Sequence, residues 1–214
     1  MKICIIGFPR SRSSILLETI SLFYNIPILG EDVNQLTDRR VDYKFRLLPL
    51  LANIKGKSAG VIRLHPLQLA EVPFQLVNFS NFQFKQYNKI YFTLRESITD
   101  NIASNFVATK LNKFTYKSQD DIVKNIEPFY FAEDDHYHVR DYIQSLKIID
   151  LLKQYFNENS IPSQDLYYND IPQYLTKYQT STTHIETHYD YRNMISNYDE
   201  IIEIYNQKIA NEQR

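Results

Sequence analysis

Residues 2–15 read Lys-Ile-Cys-Ile-Ile-Gly-Phe-Pro-Arg-Ser-Arg-Ser-Ser-Ile, and few arrangements of a chain accommodate them. The opening run is almost wholly apolar, as expected of a strand covered on both sheet faces. It breaks into a short loop that holds Arg10 and Arg12 among three serines. The loop opens directly into an apolar helix with Leu16, Ile20 and Phe23 on one face. Strand, tight loop and helix make the geometry in which backbone N–H groups and a helix N-terminus converge on an anion. The two arginines favour phosphate or phosphosulfate as that anion.

Further strand-then-helix units follow. Residues 59–64 form a second strand, stopped by His65-Pro66. Residues 89–94 form a third, in which Ile90, Phe92 and Leu94 alternate with Tyr91 and Thr93. Arg95 comes next, then a helix to about Lys110 with Ile98, Ile102 and Phe106 in register. A long helix is expected over 134–159, a fourth strand at 166–168, a helix starting at Pro172, and an amphipathic helix over 192–213. Residues 31–57 and 112–133 read as irregular chain or short helices. The alternation predicts the α/β class, one domain over 1–214 built on a parallel sheet with helices on both faces. Ligands in such sheets sit beyond the carboxyl ends of the strands. That rim gathers residues 8–14, His65 and Arg95.

Net charge is −1 over 214 residues, so no global basic field argues for nucleic acid as partner. Cys4 is the one cysteine, which rules out a disulfide framework and suits a reducing compartment. No apolar run reaches the length of a membrane span, and the opening segment is too short for a signal-peptide core. The expectation is a cytoplasmic protein.

The segment from Gly7 to Ser14 has the spacing of a Walker A loop, but Arg12 stands at the second glycine and Ser13 at the lysine. Ser14 keeps the place of the metal-binding hydroxyl, and no strand end offers a clear Walker B aspartate. Magnesium-dependent triphosphate chemistry is disfavoured. The run Pro9-Arg10-Ser11-Arg12-Ser13-Ser14 resembles the 5′-phosphosulfate loop of the sulfotransferases, Pro-Lys/Arg-Ser-Gly-Thr/Ser-Thr/Ser after a buried strand. The resemblance implies that Arg10 contacts the oxygen bridging phosphate and sulfate, and that Ser11 to Ser14 supply N–H groups and hydroxyls. Arg12 departs from the family glycine. Either that place needs φ > 0 and Arg12 is strained there, or the loop has a variant shape and Arg12 adds a cation.

The segment Lys89-Ile-Tyr-Phe-Thr-Leu-Arg95, with Ser104 nine residues on, resembles the family's 3′-phosphate segment, in the manner of its bacterial and phage branches. Asn101 lies one turn before Ser104 on the same helix face. Arg63-Leu-His65 resembles the Lys-x-His segment whose histidine is the general base, with Arg63 in place of lysine. Leu166-Tyr-Tyr-Asn-Asp170-Ile171 resembles the Tyr-Glu-Asp-Leu element, with Asp170 as a helix cap. The resemblance thus implies a P-loop-like three-layer fold and sulfuryl transfer from 3′-phosphoadenosine-5′-phosphosulfate (PAPS) to the hydroxyl of a small molecule or carbohydrate. Adenosine 3′,5′-bisphosphate (PAP) is the second product, and no metal is required. Two alternatives stand beside it: a nucleotide or small-molecule kinase, and a nucleotide-binding module without transfer. His184 and His188, four apart around Glu186, have the spacing of a metal pair but not the motif of a metalloprotease.

Overall fold

The side chains of Ile3, Cys4, Ile5 and Ile6 are wholly buried, and the strand they form is the middle of the sheet. The computed structural model describes residues 1–8, 10–30, 57–69, 83–112, 126–178 and 189–212. In chain order the elements are β1 (Lys2–Gly7), α1 (Ser13–Tyr24), β2 (Ile28–Gly30), β3 (Gly60–Leu64), β4 (Lys89–Leu94), α2 (Ile98–Lys110), α3 (Tyr137–Glu158), β5 (Ser163–Tyr167), α4 (Ile171–Thr176), α5 (Tyr191–Met194) and α6 (Glu200–Glu212). They group into two compact units, Met1–Arg95 with Gln144–Thr182, and Glu96–Ile143 with Thr183–Arg214.

The first unit holds the sheet, five parallel strands in the order β2-β3-β1-β4-β5. Successive side chains on a strand face opposite sides. Ile3, Ile5, Val61, Tyr91 and Leu166 form one buried cluster with Leu16, Leu17 and Ile20 of α1 and Ile171 of α4. On the other face, Phe156 of α3 meets Phe84 at 4.9 Å and Phe92 at 5.7 Å between ring centroids. Helix, sheet and helix make the three layers, and short apolar strands buried on both faces are why the sheet is parallel.

The connection out of β1 runs to the β2–β3 side of the sheet, whereas the chain after β4 returns on the other side as β5. The carboxyl ends of β1 and β4 therefore flank the topological switch point, where open α/β sheets bind ligands.

The described residues of the second unit include helices and one isolated β-bridge. Phe106 packs edge-on to Phe129 and Phe131, at 6.2 Å and 5.0 Å. The continuous helix expected over 192–213 is interrupted. Ile195 forms a β-bridge with Phe129, and the Asn197 side chain donates to the Phe131 carbonyl and accepts from its N–H. Those bonds hold Ile195 extended and lead into a turn over 196–199 before α6. Two other expectations also change. Phe23, expected on the buried face of α1, is 47% exposed and packs edge-on to Tyr24 and Tyr178, since the stripe that meets the sheet is Leu16, Leu17 and Ile20. Asp170 stands at the N-cap of α4, but its carboxylate makes no capping bond. Among the described residues, no helix is long and apolar enough to cross a membrane.

Phe156→Ala should lower the unfolding free energy by about 3–5 kcal/mol, since an aromatic core side chain leaves a cavity on removal. Urea titration reads this, and a loss under about 1 kcal/mol, typical of surface changes, would show that this layer is not core.

Candidate functional site

The loop after β1 takes its shape from three small groups. The Ser11 hydroxyl is wholly buried, lies 2.7 Å from the Phe8 carbonyl to which it donates, and is 2.8 Å from the Thr93 hydroxyl. Gly7 is paired with Thr93 across β1 and β4. A Cβ at Gly7 would fall 1.8 Å from the Thr93 hydroxyl oxygen, so only glycine fits. The Ser11 hydroxyl is thus committed to the protein, which leaves its backbone for any ligand. Arg10 and Arg12 both have left-handed backbone, at φ 62° and 61°. The place where the sulfotransferase loop carries glycine is therefore one that glycine would occupy without strain. Arg12 is also the N-cap of α1 and gives it no side-chain cap, and the first turn carries no acidic residue. The N–H groups at this helix start have no intrahelical partners and favour an anion. Ser13 is buried in that turn and Arg10 is partly exposed beside it.

Arg12 and Arg95 meet on one aromatic ring. The Arg12 guanidinium lies 3.8 Å from the centroid of Tyr168 and that of Arg95 lies 4.5 Å from it. Arg12 also donates from Nη1 to the Tyr168 carbonyl at 2.5 Å. Tyr168 follows β5 directly, and its own N–H donates to the Leu94 carbonyl at 2.8 Å, which ties the turn to the end of β4. Loop, β4 and β5 thus bring two guanidinium groups together at the switch point. Cation–π contact with the Tyr168 ring holds both.

A third cation lies lower in the site. Arg63 on β3 is only 6% exposed, and its Nη1 donates to the hydroxyl of Ser14 in the first turn of α1. Its Nε has no hydrogen-bond partner among the described residues. A buried, incompletely satisfied guanidinium is costly and is relieved by an anion. His65, two residues on, has a pKa lowered from 6.5 to about 3, first by burial and then by the Arg63 charge. Its Nδ1 accepts from the Leu67 N–H at 3.2 Å, so in the neutral ring the proton sits on Nε2.

Ser104 belongs to the second unit. It is buried and donates to the Asn101 carbonyl, while the buried Asn101 side-chain nitrogen has no partner among the described residues. Asp100 accepts from the Tyr198 hydroxyl at 2.5 Å. His138 is a core histidine, with Nδ1 3.2 Å from the Asn105 amide nitrogen and Nε2 bonded to the Tyr137 hydroxyl. His136 stacks on Phe131. His184 and His188 lie outside the described residues. No group of three or more His, Cys, Asp or Glu able to hold a metal occurs among the described residues.

No protein-family model, curated protein or solved structure matches this chain.

Reading the sequence alone misses Tyr168 and Thr93. Thr93 is the one small hydroxyl side chain within a largely apolar strand, which is a visible signal of a polar task. Tyr168 sits beside a second tyrosine, and nothing in the pattern says which of the two meets the arginines.

Gly7→Ala should disrupt the loop and destabilise the chain, and Thr93→Ala should cost about 1 kcal/mol through its lost bond to the Ser11 hydroxyl, which keeps its bond to Phe8. The double variant should be less destabilised than the sum, because removing the Thr93 hydroxyl relieves the clash. Chemical denaturation of the four proteins measures the coupling, and strict additivity would contradict the close approach.

Protonation of His65 is disfavoured in the folded state, so between pH 6.5 and about 3 the unfolded chain binds the extra proton. His65 therefore costs the fold stability as the pH falls through that window. His65→Asn should flatten the pH dependence by about one proton, roughly 1.4 kcal/mol per pH unit at its steepest. Parallel stability curves for the two proteins would place the His65 pKa near its ordinary value.

Proposed function

We propose that this protein is a sulfotransferase that moves a sulfuryl group from PAPS to an acceptor hydroxyl. The observation that carries the reading is the left-handed backbone at Arg12, at the glycine place of a phosphosulfate-type loop that opens into an uncapped helix. The switch-point location of that loop, beside Arg95, supports it.

PAPS would supply an activated sulfuryl group and leave as PAP. In this reading the backbone N–H groups at the start of α1 and the Arg10 guanidinium offset charge on the departing phosphate oxygen. Arg63, held against Ser14, adds a buried positive charge beneath them. Arg95 takes the 3′-phosphate. The acceptor oxygen forms its bond to sulfur as the bridging S–O bond breaks, and the acceptor proton must go to a base.

His65 is assigned to that proton, which it takes at Nε2 in the tautomer that carries its own proton on Nδ1 and gives up the Leu67 bond. It is neutral near pH 7, as a base must be, but a pKa of about 3 makes it a weak one. An anion paired with Arg63 cancels the second cause of that depression and raises the basicity. The Leu67 N–H on Nδ1 favours a second role, in which Nε2–H donates to the transferring group. The kinase alternative fits less well, because the Ser14 hydroxyl that would bind magnesium accepts from a buried guanidinium.

The test is transfer of labelled sulfate from PAPS to a panel of hydroxyl acceptors in the presence of EDTA. Transfer should proceed, and Arg95→Ala should weaken PAP binding at least tenfold more than binding of adenosine 5′-monophosphate. His65→Gln distinguishes the two roles: a loss as large as that in His65→Ala marks a base, and substantial retention marks a donor. Absence of transfer, together with magnesium-dependent phosphorylation from ATP, would replace this function with the kinase.

A further inference from the structure

Arg12 begins in the loop after β1 and ends on Tyr168, beyond β5. In the strand order β1-β4-β5 its side chain therefore reaches across the end of β4, where Arg95 stands on the same ring. We propose that Arg12 serves the Arg95 end of the site rather than the loop it grows from. The two guanidinium groups, carried on Tyr168, form one dicationic clamp for a single phosphate monoester. This assignment rests on the nucleotide reading above, in which that monoester is the 3′-phosphate.

The chemistry matches. A phosphate monoester carries nearly two negative charges at neutral pH, with three acceptor oxygens. Two guanidinium groups answer both charges, and each has five N–H donors in a fixed fork. Arg12 donates from Nη1 to the Tyr168 carbonyl, and both guanidinium groups lie against the Tyr168 ring, which places them side by side. Two like charges gathered on one ring repel, and an anion between them removes the repulsion. Tyr168 is then a positioning residue, which sets the spacing of the pair and touches no reacting atom.

The position of Arg12 makes a clean test. At φ 61° glycine is the best-tolerated replacement, so Arg12→Gly removes the guanidinium while keeping the backbone. Calorimetric titration of the full chain with adenosine 3′-monophosphate and with adenosine 5′-monophosphate reads the two ends separately. Arg12→Gly should weaken the 3′-nucleotide at least tenfold and the 5′-nucleotide less than about threefold. Tyr168→Leu should reproduce that pattern, and Tyr168→Phe, which keeps the ring, should bind both as the unmodified chain does. Equal weakening of both nucleotides by Arg12→Gly would return Arg12 to the β1 loop and overturn the clamp. An effect on neither would reduce Arg12 to a strap between loop and turn, and also overturn it. Failure of the unmodified chain to bind either nucleotide would instead overturn the nucleotide reading, and the clamp with it.

Discussion

The Ser11 hydroxyl, the Thr93 hydroxyl and the missing side chain of Gly7 share one crowded spot between β1 and β4, and the rest of the site follows from it. Their close approach pulls the loop onto the sheet edge and forces the chain to turn sharply before α1. A sharp turn needs left-handed backbone, and it falls on Arg10 and Arg12. For residues with a Cβ that geometry costs on the order of 1–2 kcal/mol each. The Arg12 contacts to the Tyr168 ring and carbonyl offset part of this.

Charge is distributed in the same economical way. The chain as a whole is nearly neutral, yet Arg12, Arg63 and Arg95 are placed on the ends of neighbouring strands or the loop between them. Arg63 is buried under the first turn of α1, where the helix dipole is positive as well. Such a place favours an anion strongly and a divalent cation weakly. The local field, rather than net charge, is what suits the sheet edge to an anion. The lowered basicity of His65 belongs to that same field, since the Arg63 charge that attracts an anion also disfavours a protonated ring nearby.

Much of the first unit is legible in the sequence because buried parallel strands are short apolar runs with a clear end. Lys89–Leu94 has the boundaries expected of it, the apolar opening run forms Lys2–Gly7, and the strand expected over 59–64 starts one residue later. β2 is three residues long, too short for any periodicity to mark it. β5 lies at the sheet edge with most of its side chains exposed, so only its buried Leu166 and its neighbours signal a strand. The break between α5 and α6 depends on Phe129, some sixty residues away, and no local pattern can report it. At the site, the loop, His65 and Arg95 are visible as polar residues at strand ends. That Tyr168 joins Arg12 to Arg95 depends on the sheet order, which places β5 beside β4.

Cys4, the chain's one thiol, lies wholly buried in β1, and burial pushes its pKa well above the ordinary range. A thiolate-selective alkylating reagent can therefore reach it only when the central strand separates from its neighbours. The rate of modification becomes a clock for opening of the sheet at the very strand that delivers the loop. Any small anion that settles at the loop should slow that clock.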